Sequence, residues 1–247
     1  MNEQPDLVNS MTVAPLANVT ICMAAVQRTM QRAPHLPGMV TFYGPSGWGK
    51  STAAAYVANK TRAYYVQCMS AWTKKAFLEN VLSEMGCAPS STIASMTEQA
   101  AEQLALSNRP LIIDEMDHLA DKKAVEIVRD LYEASGGGTI LLIGEERLPD
   151  KLRKWERVHG RVLDWVQAQP ADLDDAKHLA RIFTTRVKVA NDLLGRIAEL
   201  AKGSARRICV NLDRVEQFAL TQGLEKIDLV TWGNNELFTG EAPKRRV

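Results

Sequence analysis

The stretch VTFYGPSGWGKSTAAAYVANK, residues 40–60, decides how this chain is read. MVTFYG (39–44) is a short apolar, β-branched run, and STAAAYVANK after the glycines is rich in helix formers, so the region reads as strand, glycine loop and helix. Within it Gly44, Pro45, Ser46, Gly47, Trp48, Gly49, Lys50 and Ser51 satisfy G-x-x-x-x-G-K-[ST]. A chance match in a chain of this length has odds of roughly one in a hundred, and the strand-to-helix context lowers them further. The residue types suit a phosphate cradle. Gly44 and Gly49 allow backbone turns that aim amide N–H groups at phosphate oxygens, while the helix presents its positive end. Lys50 would reach the β and γ phosphates and the Ser51 hydroxyl would ligate magnesium. Trp48 sits where no chemistry is required; it reads as a packing residue on the outer side of the loop, with stacking on a partner subunit or ligand as the alternative.

Further along, LIIDEMDHL (111–119) supplies the complementary half of such a site. Asp114 ends a buried apolar strand and is placed to hold the magnesium, and Glu115 beside it to polarise a water for attack on the γ phosphate. Asp117 and His118 read as helix-start and solvent residues.

Strands are expected at Tyr64–Gln67 and Leu111–Asp114, within SGGGTILLIGEE (135–146), and at Arg161–Val166. Helices are expected over Leu16–Gln31, with Pro15 suited to the first helical position, and over Lys123–Ala134, where Ala124, Ile127, Val128 and Leu131 share one face. Alternation of this kind predicts an α/β fold with a parallel sheet covered on both faces. From Asp172 to about Trp232 the pattern turns helical, broken at Gly195, Lys202-Gly203 and Gln222-Gly223. The expected organisation is a loose tail over 1–14, an α/β nucleotide-binding core over 15–170, a small all-α lid over 171–236 and a basic tail over 237–247.

The 247 residues carry 30 Lys and Arg against 29 Asp and Glu, so bulk charge implies neither a nucleic-acid nor a membrane partner; any basic surface must be local. Four cysteines are scattered with no C-x-x-C pair, which fits free thiols in a reducing compartment better than disulfides or zinc. No stretch approaches the ~20 apolar residues of a membrane helix, and the expected location is the cytoplasm, the host's if the gene is a phage's.

The order of phosphate loop, Asp-Glu box, a strand with a polar end, arginines before a fifth strand and a helical segment containing GSARRI (203–208) resembles the AAA+ ATPases. Within them it is similar to the transposition ATPases of the phage Mu B and TnsC type, relatives of the origin-recognition initiators. The resemblance implies a P-loop AAA+ core and helical lid, ATP and Mg2+ as ligands, and slow regulatory hydrolysis. It makes Arg206 the lid arginine that reaches the γ phosphate, with Arg207 the weaker choice. It places a sensor at the end of TILLIGEE, where Glu145 or Glu146 stands instead of the usual Asn, Thr or Ser, a departure from the family's γ-phosphate sensor. In KLRKWERVHGRVLDW (151–165), Arg161 falls at the position of the arginine donated to a neighbouring subunit, and Arg157 lies one turn earlier.

It also implies double-stranded DNA, a DDE transposase and further copies of the chain, in a ring or helical filament, as partners. SAWTKKAFLENVL (70–82) resembles the segment that meets DNA, with Thr73, Lys74 and Lys75 at a helix start. Cations there oppose the helix dipole unless a phosphate partner offsets them. Lys122 and Lys123 are further candidates. The function so implied is ATP-dependent, largely sequence-non-specific DNA binding that recruits a transposase. The alternatives are a replication-type helicase loader and a nucleotide-gated signalling ATPase without DNA.

Overall fold

The computed structural model describes residues 14–241; the expected tail over 1–14 lies almost wholly outside them, as does the end of the basic tail. The chain opens with α1 (Ala17–Met30), which leads into β1 (Met39–Tyr43), the glycine loop and α2 (Lys50–Thr61). Then come β2 (Tyr64–Gln67), α3 (Lys74–Glu84), α4 (Ile93–Ser107), β3 (Leu111–Asp114), α5 (Asp117–Asp121) and α6 (Glu126–Ala134). The core continues through β4 (Ile140–Gly144), α7 (Leu148–Arg153) and α8 (Glu156–His159) to β5 (Val162–Gln167).

The five strands form one parallel sheet in the order β2-β3-β4-β1-β5. Because side chains alternate across a strand, each strand feeds two cores. Val40, Phe42, Ile112, Leu141 and Ile143 pack against Val19, Cys22 and Val26 of α1 and Ala53, Ala54 and Val57 of α2. Met39, Leu111, Ile113, Ile140 and Leu142 pack on the opposite face against α3, α4 and α6. The carboxyl ends of β1, β3 and β4 therefore carry Gly44, Glu115 and Glu145 to one edge of the sheet, where ligands of open α/β sheets bind.

After Pro170 the helices α9 (Leu173–Phe183), α10 (Asn191–Ala201), α11 (Ala205–Thr221) and α12 (Leu229–Trp232) follow, with a two-residue parallel pairing of β6 (Lys188–Val189) and β7 (Lys226–Ile227). Leu179, Leu193, Ile197, Ile208 and Leu212 join the core that α1 and α2 build, so the helical region docks on that face.

Three expectations at element ends differ. Helix α1 begins at Ala17, with Pro15 ahead of an extended Leu16. The Ala17 N–H donates to the Asp175 carboxylate at 3.0 Å, a bond proline cannot make. Lys123 is not helical: it holds φ +56°, and the Ala124 N–H reaches back to the Leu119 carbonyl at 2.8 Å, closing α5 with a left-handed turn. Gly195 does not break α10, whose buried Leu193, Leu194 and Ile197 outweigh the ~1 kcal/mol cost of an interior glycine. Among the described residues no helix is long and apolar enough to cross a membrane.

Candidate functional site

The glycine loop takes its shape from three glycines used in two ways. Gly47 (φ +82°) and Gly49 (φ +81°) occupy the left-handed region, which a side chain disfavours. Gly44 does not; there the missing Cβ makes room for the methyl of Ala168, which an added carbon would meet at 3.0 Å. The turn attributed to Gly44 is made by Gly47. Beyond the loop, the 12-residue helix α2 points its free N-terminal amides at the same space. Lys50, its first residue, donates from Nζ to the carbonyls of Gly44 at 2.7 Å and Pro45 at 3.0 Å. Burial pushes the Lys50 ammonium below its ordinary range, against the pull of Glu115, Asp114, Glu145 and Asp117.

A cleft of about 510 Å³ opens beside this loop. Ser46, Gly47, Gly49, Lys50, Ser51, Asp114, Glu115, Glu145 and Arg206 line its polar end. Ala14, Leu16, Leu179, Ile182, Phe183 and Cys209 line the apolar end, the last four from helices far along the chain. A cleft of this size with both polar and apolar lining is in the range of small-molecule sites. Among the described residues no group of three or more His, Cys, Asp or Glu side chains gathers as a metal cage. A hard divalent cation would find Ser51 and Asp114 on the protein and take its other ligands from phosphate and water, as magnesium does.

Asp114 is 2% exposed, and both its oxygens are engaged: Oδ1 accepts from the Glu115 N–H and Oδ2 from the Tyr65 hydroxyl, each at 2.8 Å. Glu115 holds φ +55°, an uncommon conformation for a residue with a side chain and one that clusters at functional sites. Its carboxyl is raised above the usual range by burial and then by the Asp114 charge, against His118 and Lys50.

Asp117 is the first residue of α5, a helix start, but it does not face solvent. It is 4% exposed, Oδ2 accepts from the Glu145 N–H at 2.7 Å, and Oδ1 lies 3.0 Å from Lys151 Nζ, which also pairs with Asp121. A buried carboxylate thus fastens the end of β4 to the turn after β3. Of the two glutamates after β4, Glu145 lines the cleft and Glu146 does not.

From the helical region, the Arg206 N–H and the Ser204 hydroxyl both reach the Gly47 carbonyl, at 3.2 and 3.4 Å. Arg206 extends into the cleft, whereas the Arg207 side chain lies against Gly240. Trp48 is half-buried at the junction of core and helical region: a Cβ on Gly203 would come within 3.1 Å of its ring and 2.6 Å of Pro170. Sequence reasoning missed Asn18, which is 4% exposed and donates to the carbonyls of Trp48 and Gln169, both at 2.8 Å. An asparagine inside an apolar helical face was the available signal. Tyr65 and the apolar wall had none.

Arg161 and Arg157 are not brought to this cleft. Arg161 precedes β5 at the opposite edge of the sheet, 2.6 Å from Glu133, and shares a separate surface groove with the exposed Arg157. Thr73 caps α3 by accepting from the Ala76 N–H. Lys74 and Lys75 are exposed on its first turn, and Lys75 lies 3.7 Å from Glu79. Lys122 donates to the Trp72 carbonyl at 3.1 Å, which brings the end of α5 beside the start of α3; Lys123 is exposed next to it.

Residues 31–152 match the AAA domain model. The fold is that of an AAA+ P-loop NTPase core with a helical C-terminal region, and the AAA domain match covers the phosphate loop and the Asp-Glu box. The AAA+ fold is shared with the ORC2 protein of Aeropyrum pernix in its ADP form, at TM-score 0.63 and 16% identity over 85% of this chain and 64% of that one. The ORC1 protein of Aeropyrum pernix in complex with DNA gives TM-score 0.60 and 17% identity over 90% and 65%. In sequence, the chain is 27% identical over 181 residues to the cell division cycle protein 48 homolog of Archaeoglobus fulgidus, covering 68% of this chain and 23% of the relative. The chain thus spans under a quarter of that relative and just under two thirds of the two solved chains. None of these similarities is to a transposition protein, so nothing in them is specific to the Mu B and TnsC branch.

Proposed function

We propose that the chain is an ATP-binding and ATP-hydrolysing switch that assembles on double-stranded DNA, of the replication-initiator type, with residues 15–170 as its nucleotide-binding unit and 171–236 as its lid. The observation that carries the reading is the cleft in which Gly47, Lys50, Asp114, Glu115 and Arg206 converge. Loop amides and Lys50 would hold the phosphates, and Arg206 would read the γ phosphate from the lid. Ser51 and Asp114 would hold magnesium, which when bound neutralises phosphate charge. Glu115 would take a proton from water as the water oxygen bonds to the γ phosphorus and the bond to the β-γ bridging oxygen breaks, leaving ADP. Arg161 or Arg157, remote from its own cleft, would stabilise that charge at a neighbour's.

DNA contact is assigned to Thr73, Lys74, Lys75, Lys122 and Lys123, which the Lys122 bond to Trp72 draws into one exposed patch. Similarity to an ORC1 protein solved with DNA supports the DNA partner and favours a replication role over transposase recruitment. The transposase partner rests on motif order alone.

Mobility shift of random duplex DNA tests the proposal. ATP should produce a shift that ADP does not, weakening steeply with salt. Lys50→Ala should abolish it, and Lys74→Glu with Lys75→Glu should remove DNA binding while sparing ATP binding. An absent ATP-dependent shift at low salt overturns the DNA reading. Stimulation of hydrolysis by a replicative helicase, against stimulation by a DDE transposase, separates the two roles.

A further inference from the structure

We infer that Tyr65 is a positioning residue for Asp114, an assignment that rests on the reading of Asp114 as a magnesium ligand. Strands β2 and β3 are parallel, with Tyr65 beside Ile112 and Gln67 beside Asp114. Asp114 therefore stands two residues further along the sheet than Tyr65, about 6.6 Å at the rise of a parallel strand, and on the same face. A tyrosine is long enough to cover that distance, and its hydroxyl ends 2.8 Å from Asp114 Oδ2. Its ring packs against the core formed with α1 and α2, so the hydroxyl is delivered from a fixed platform.

The residue that follows β2 holds Asp114 a second time through the main chain, where the Cys68 N–H donates to the Asp114 carbonyl at 2.9 Å. With Oδ1 taken by the Glu115 N–H, the Tyr65 hydroxyl fixes the remaining rotation of the carboxylate. Each oxygen keeps a lone pair for a cation or its water. Phenylalanine would preserve the packing and release the rotation. Partners that orient metal-ligating groups commonly change metal affinity by about 10-fold or more when removed.

The test compares ATP affinity with magnesium and with EDTA in wild-type protein, Tyr65→Phe, Asp114→Asn and the double variant, each confirmed as folded by circular dichroism. Tyr65→Phe should reduce the magnesium-dependent gain in ATP affinity by about 10-fold while leaving affinity in EDTA within about twofold. Asp114→Asn should remove the gain, and adding Tyr65→Phe to it should change nothing further. A wild-type gain in Tyr65→Phe, or an equal loss with and without magnesium, overturns the inference. Wild-type protein that binds ATP with no magnesium gain overturns the reading of Asp114 and this inference together.

Discussion

Asn18 binds the phosphate loop from outside: its side-chain amide donates to the Trp48 carbonyl and to the Gln169 carbonyl, and its oxygen accepts from the Gln169 N–H at 2.7 Å. One side chain in α1 thereby ties the loop to the segment that follows β5. Asn18→Ala would leave three backbone groups without that partner, at a cost of about 2 kcal/mol or more. Thermal melting should fall by roughly 5 °C, and calorimetry should show weaker ATP binding because the loop loses its brace.

Glu115→Gln should be inactive in hydrolysis and more heat-stable than wild type. The raised carboxyl of Glu115 means that the folded protein holds this proton more tightly than the unfolded chain does. Ionisation at neutral pH therefore costs folding stability, and the cost disappears as pH falls and the group takes up its proton. Melting in EDTA should show the advantage of the glutamine variant at pH 8 and its loss near pH 4. A wild-type protein that is the more stable of the two at pH 8 would contradict this.

Gly144 has no room for a side chain. An added Cβ would lie 2.3 Å from Asp117 Oδ2 and 2.9 Å from Leu148. Gly144→Ala should cost about 2–3 kcal/mol and displace the Glu145 amide, slowing hydrolysis more than it weakens ATP binding. Steady-state kinetics beside a binding isotherm would separate the two effects.

The Arg161 ion pair with Glu133 is roughly half-exposed on both sides, a class worth about 0–1 kcal/mol. Arg161→Ala should accordingly melt within about 1–2 °C of wild type yet fail to hydrolyse ATP in the oligomer. Mixing it with Glu115→Gln should restore activity, because some sites would pair an intact Glu115 with a neighbour's intact Arg161. Failure to complement, with Arg157→Ala complementing instead, would transfer the role to Arg157.

The sheet was legible because its strands are bounded apolar runs. Tyr64–Gln67 and Leu111–Asp114 occupy the spans read from residue pattern alone. Helix α4 escaped notice, although Thr92 and Ser95 form a reciprocal cap at its start. The left-handed Lys123 hid the true start of α6, since nothing in a lysine announces that conformation. Asp117 opens α5, as its position suggests, but its burial was not legible, being created by β4 and α7, which pack over it from about thirty residues away. The apolar wall of the cleft was invisible on the same grounds, being assembled from Leu16 and from helices beyond Pro170.

The hydrogen bond from the Arg206 N–H to the Gly47 carbonyl ties the helical region, as donor, to the loop, as acceptor. Any swing of α11 away from the core has to release that amide to solvent. Its deuterium uptake is then a direct clock for opening, readable at one peptide in protein bound to ATP, to ADP or to neither.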